Sequence, residues 1–218
     1  MTTGTEIITQ AKELADMVNS NFIGLYTWRS WLNDAYFELY DLLVSKFEDY
    51  YVTSQLIDVP SGDSVMPLPS AFYKLRGLDR DGKSVRSFPF AERNSVDVSA
   101  FVDGVYPRVR YCIIGSQLIL RPIENAPGDY TMWYIPRPTR ITNFDAQIVG
   151  IDGWETFLHY TIAIKALMKE ESDATGLMAL KGDIVRRIEE MAANRDAGEP
   201  KKIADVQRFD YRFSILGY

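Results

Sequence analysis

Proline placement constrains this chain more than any other feature. None of the ten prolines precedes Pro60, nine fall between Pro60 and Pro138, residues 139–199 have none, and the last is Pro200. Proline lacks the amide proton that a helix interior needs and clashes with the preceding turn, so long helices are confined to the two ends. Apolar spacing agrees. Ile7, Ile8, Ala11, Leu14, Ala15 and Val18 recur at helical intervals, with Thr5 placed to cap them. Thr27 then opens a longer helix whose stripe runs from Trp28 and Trp31 through Leu32, Ala35, Tyr36, Leu39, Leu42 and Leu43 to Phe47. Both stripes need partners.

Those partners are expected near the far end. Asp152 and Glu155 have capping-box spacing ahead of WETFLHYTIAIKALMKEES, whose wide apolar face carries Trp154, Phe157, Leu158, Ile162, Ile164, Leu167 and Met168. Thr175-Gly176 interrupts, and Leu177, Leu180, Ile184, Ile188 and Met191 start a fresh stripe, flanked by the four-residue pairs Asp183/Arg187 and Arg186/Glu190. This predicts a helical hairpin. Gly182 costs that helix about 1 kcal/mol relative to alanine, which suggests a neighbouring backbone approaching closely there.

The middle reads as strands and tight turns. In YKLRGLDRDGKSVRSF an Asp81-Gly82 turn sets Leu78 opposite Val85 and Leu75 opposite Phe88. In RVRYCIIGSQLILR a Gly115-Ser116 turn sets Ile113 against Leu118 and Tyr111 against Leu120. A third strand, from Asp129 to Ile135, alternates Tyr130, Met132 and Tyr134 until Pro136 ends it. Residues 91–101 are expected to form a short helix.

Within this region GLDRDGKS, residues 77–84, has the letters of a phosphate-binding P-loop. The chemistry of that loop needs a strand before it and a helix after it, because backbone N–H groups and the helix N-terminus hold the phosphates. Val85, Arg86, Ser87, Phe88 and Pro89 read as a strand instead, and Asp79 and Asp81 would repel the anion. The hairpin reading is preferred.

Other residues point away from catalysis. His159, the one histidine, reads as a hydrogen-bonded structural residue on the flank of its helix, and Cys112, the one cysteine, as a small buried apolar group. Single copies of each make zinc and redox chemistry poor expectations. Glu170, Glu171 and Asp173 read as the solvated end of a helix; a cation site there, and with it a DNA-processing enzyme, is the competing reading. The aromatic residues at 26–51 have the helical spacing of a core or subunit interface rather than of a base-stacking surface. No catalytic residue, cofactor or metal site is expected.

Length and charge bound the rest. The 218 residues, 46% hydrophobic, suit one domain or one domain with an insertion. Residues 1–60 carry three bases against nine acids, residues 61–150 eleven against nine, and residues 151–218 ten against twelve. No run of bases suits tight binding to nucleic acid. No apolar run is long enough for a membrane span, and the first residues lack the features of a secretory signal, so synthesis in the cytoplasm is expected.

After Pro200 comes KKIADVQRFDYRFSILGY, where Phe209, Tyr211, Phe213 and Ile215 alternate with polar residues at strand spacing. Such a segment either completes the chain's own sheet or adds a strand to another polypeptide; the polar linker before it favours the second reading.

The succession YCIIGSQLILRP, GDYTMWYIPRPTRI and WETFLHYTIAIKALMKEESD resembles the head-to-tail adaptor (connector) proteins of tailed bacteriophages, over roughly residues 105–195. The resemblance implies a structural virion protein at the head–tail interface, assembled in the host cytoplasm. It implies a dodecameric ring beneath the portal protein, extending the DNA channel and offering a platform to tail or nozzle proteins. DNA would pass through without specific binding, and no membrane is involved. The carboxyl-terminal extension of such adaptors docks on the portal, which maps here onto Phe209, Tyr211, Phe213, Ile215, Leu216 and Tyr218. A tail-completion or other tail-side structural protein is the alternative. The expected fold class is α+β. N-terminal helices (1–52) and a C-terminal helical hairpin (139–197) form a bundle carrying a central antiparallel β insertion (53–138), followed by an extended arm (198–218).

Overall fold

A computed structural model describes residues 2–93, 108–151 and 153–193. The six arm residues named above, Asp152 and most of the 91–101 segment lie outside them. The described chain is α+β: two helices, eight strands and two further helices in that order. Between Thr53 and Pro136 the described residues form only strands, turns and single 3-10 turns, as the prolines require.

Helix α1 (Gly4–Leu14) is capped by Thr3, which forms a capping box with Glu6, and not by Thr5. Thr5 is used differently: its amide donates to the Phe144 carbonyl (2.9 Å) and its hydroxyl to Asp145 Oδ1 (2.7 Å), tying the helix start to the segment before α3. Helix α2 (Leu25–Lys46) starts two residues ahead of Thr27, with Gly24 at its N-cap. α3 (Glu155–Lys169) has Trp154 rather than Asp152 at its N-cap, and the Glu155 carboxylate accepts from the Gly153 amide (2.9 Å). α4 (Thr175–Ala193) already contains Gly176; the break falls before it, where Asp173 accepts from the Thr175 amide.

All four helices converge on one core. Ile7, Ile8 and Ala11 of α1, Trp28, Leu32, Leu39 and Leu43 of α2, Phe157, Leu158 and Ile162 of α3, and Ile188 of α4 bury together. Burying a large apolar side chain contributes about 1.5–3 kcal/mol, which explains why the apolar stripes were readable in advance. The polar flank was not. Asp183 pairs with Arg186 rather than with Arg187, which reaches the Gly153 carbonyl (3.2 Å) and stacks over Trp154. Among the described residues nothing lies within 4 Å of where a Cβ of Gly182 would stand, so the close backbone approach expected there is not found. Three ion pairs link α2 to the hairpin instead: Asp34–Lys165, Glu38–Lys181 and Lys46–Glu189.

The strands make two sheets packed face to face. In the first, β1 (Thr53–Val59), β8 (Gly128–Pro136), β3 (Phe72–Arg80) and β4 (Lys83–Ser84) lie in that order; in the second, β2 (Val65–Pro67), β7 (Gln117–Arg121), β6 (Arg110–Ile114) and β5 (Arg86–Ser87). Asp81 and Gly82 both have positive φ (51° and 71°), the requirement of a two-residue hairpin turn whose twist matches its strands. Leu78 and Val85 face each other, joined by a backbone hydrogen bond of 2.7 Å. The expected pairing of Leu75 with Phe88 does not form. Beyond Val85 the chain crosses to the second sheet, where β5 pairs in parallel with β6, and Leu75 takes Tyr134 as its neighbour. The second hairpin has the expected register, Tyr111 with Leu120 and Ile113 with Leu118.

Alternation along β8 explains how bundle and sheets join. Tyr130, Met132 and Tyr134 point into the sandwich core with Leu78, Leu118 and Leu120. Ile135 points the other way and is buried against Tyr40 and Val44 of α2. The layers are therefore bundle, first sheet, second sheet.

Candidate interaction surfaces

Each candidate site has a definite place in this fold. GLDRDGKS is the β3–β4 hairpin, with Lys83 and Ser84 exposed on a strand and no helix behind them. Cys112 is buried in β6. His159 is half-buried, and among the described residues its Nε2 has no hydrogen-bond partner, contrary to the expectation of a hydrogen-bonded structural histidine. Burial pushes its pKa down, and the Glu155 carboxylate opposes that only in part. Glu170, Glu171 and Asp173 are exposed, and Asp173 is held below its usual pKa by hydrogen bonds from Thr175. Among the described residues no group of three His, Cys, Asp or Glu side chains is placed to hold a metal ion. No described helix is long and apolar enough to cross a membrane.

A cleft of about 850 Å³ lies at the seam between bundle and sheets and is lined by Tyr36, Tyr40, Tyr51, Pro136, Pro138 and Ile148, among others. Its aromatic residues are spent on structure. Tyr40 and Tyr51 stack at 4.3 Å; Tyr40 donates its hydroxyl to the Pro136 carbonyl, and Tyr51 donates to the Gly150 carbonyl (2.8 Å). Burial, helped by Tyr36 and Asp41, pushes the Tyr40 pKa well above that of a free phenol, so it stays a donor. Gly150 has φ +86°, and a Cβ there would meet Tyr51 Cε1 at 2.9 Å. Opposite, the buried Asn33 of α2 behaves like a backbone group. It accepts from the Ile141 amide (2.7 Å) and donates to the carbonyls of Ile141 (3.2 Å) and Arg29 (3.0 Å). These contacts pin the connection from β8 to α3 onto the bundle.

Two exposed surfaces remain. One is apolar and lies where the α1–α2 loop meets the end of α3: Val18, Phe22, Leu25, Tyr26 and Met168 are all more than half exposed, Tyr26 at 80%. Lys169 sits over the rings of both Phe22 and Trp31, which places the α3 end beside that loop. The aromatic 26–51 stretch is thus divided, with Trp28 and Tyr40 buried in the chain's own core and Tyr26 left outside.

The other surface is basic. Arg86, Arg110 and Arg121 are register partners across β5, β6 and β7, so three arginines stand side by side on one face of the second sheet. Sequence order hides this, because the residues are 24 and 11 positions apart.

Against known proteins, the chain matches the family model described as SU10 adaptor protein over residues 2–204. No curated protein matches it.

Proposed function

The chain belongs to the SU10 adaptor protein family, and from that premise we propose that this phage adaptor, a structural virion protein, works without catalysis as a ring subunit beneath the portal. The ring is dodecameric, extends the DNA channel and offers a platform to tail or nozzle proteins. The observation that carries this reading is the family match over almost the whole chain. The architecture suits the role. A bundle pinned to a β-sandwich by Asn33, Tyr40 and Tyr51 is a rigid spacer with its clefts filled by structural hydrogen bonds. A net charge of −6 also disfavours adhesion to passing DNA.

Recognition is staged in this proposal. The 198–218 arm, through Phe209, Tyr211, Phe213, Ile215, Leu216 and Tyr218, adds a strand to the portal, and docked subunits then close the ring. Deleting residues 203–218 leaves every described element in place, so the truncated chain is expected to melt as a folded protein and to lose portal binding in a pull-down and by electron microscopy. Undiminished portal binding by the folded truncation refutes the role given to the arm.

A further inference from the structure

The two exposed surfaces lie at opposite extremes of the molecule. α2 runs from the apolar surface at its N-terminal end to the sheet junction near its C-terminal end, 22 residues, or about 33 Å. The arginine row is farther still, because Tyr111 and Leu120 turn inward to the sandwich core while their neighbours Arg110 and Arg121 turn outward. One copy cannot bring these surfaces together.

Their chemistry is complementary. The apolar end is rimmed by Glu13, Asp16, Glu170 and Glu171, all exposed and none in an ion pair among the described residues. The sheet end centres on Phe90, 55% exposed, with the Arg93 guanidinium over its ring at 4.2 Å. Around it Arg110 reaches Glu92 only at 4.0 Å, and the exposed Arg86 and Arg108 make no ion pair among the described residues. Arg121, half-buried, meets Ser64 Oγ at 3.5 Å and backs the row. Arg86 and Arg110 are like charges side by side across strands, and an acidic surface over them relieves that repulsion. A large exposed apolar patch with a polar rim is likewise the mark of a protein contact.

We propose that the acid-rimmed apolar end of the bundle binds the Phe90–arginine end of the second sheet on a second copy of this chain. The contact joins two different patches of identical subunits, the type that closes into a ring when the rotation permits. An exposed Phe90, set beside Arg110 by the Glu92 contact, and a matching acidic, apolar surface on the same polypeptide favour a second copy over nucleic acid. The inference rests on the ring reading above and assigns its faces.

Sedimentation velocity on the full chain tests it, with Arg86→Glu/Arg110→Glu as one variant and Glu170→Lys/Glu171→Lys as the other. All four positions are exposed, so both variants are expected to melt like the wild type. Each is expected to self-associate at least about tenfold more weakly, and mixing the two is expected to restore association, because every mixed contact again joins opposite charges. Wild-type rings that both variants also form would overturn the assigned faces and leave the ring reading standing. A wild-type chain that stays monomeric up to about 1 mM would overturn the proposed contact and leave standing the ring that docked subunits close on the portal. Duplex DNA binding lost in Arg86→Glu/Arg110→Glu, with self-association unchanged, would make the arginine row a nucleic-acid surface and overturn the proposal.

Discussion

Asn33 offers the sharpest test of how bundle and sheets are held together. It is 3% exposed and makes three hydrogen bonds, all to backbone and two of them to Ile141, 108 residues away. Asn33→Leu keeps the number and branching of side-chain heavy atoms and removes the bonds. The Ile141 amide then has no acceptor in a partly buried position, which costs about 1–3 kcal/mol. The two carbonyls released by Nδ2 lose less, about 1 kcal/mol together, because the Arg29 carbonyl lies within the helix and a carbonyl has a second lone pair. The total is about 2–4 kcal/mol, or about 5–12 °C in Tm for a chain of this size. Asp34→Ala, one residue along the same helix, breaks only the exposed pair with Lys165 and is expected to cost about 0.2–1 kcal/mol. Urea and thermal unfolding of both variants measure the difference. An Asn33→Leu protein as stable as Asp34→Ala would refute the claim that these bonds anchor the connection to α3.

Two other perturbations follow from single residues. The folded-state pKa of His159 is lowered by burial, so the unfolded chain binds the proton more readily, and stability should fall as pH drops below about 6.5 toward the folded value. His159→Phe should flatten that part of the pH–stability profile measured by urea unfolding; an unchanged slope would place the proton elsewhere. Gly150→Ala should destabilise by about 1–3 kcal/mol through its left-handed backbone, with the Tyr51 clash added, while Gly182→Ala should stabilise by about 1 kcal/mol. Thermal melts giving both substitutions the same sign would refute the contrast between a filled and an open glycine.

What the sequence by itself determined is what depends on neighbours along the chain. Proline spacing separated helix from strand, and Gly115-Ser116 set the register of Ile113 against Leu118; apolar period picked out most of the buried face of α1, α2 and α3, but Leu14, Val18 and Met168, and Leu180 and Met191 of the α4 stripe, are exposed. These are local because a helix turn or a two-residue hairpin closes within a few residues. The cap was legible in the same way: Thr3 has Glu6 three residues on, the capping-box spacing, whereas Thr5 has Ile8 there, and the structure gives Thr5 its contact with Phe144 and Asp145 instead. Tertiary structure alone decided that the chain leaves its hairpin at Val85 to pair with β6, that Asn33 holds Ile141, and that Arg86, Arg110 and Arg121 stand in one row. Those relations join residues far apart in order, and their energy appears only when packing has brought the elements together.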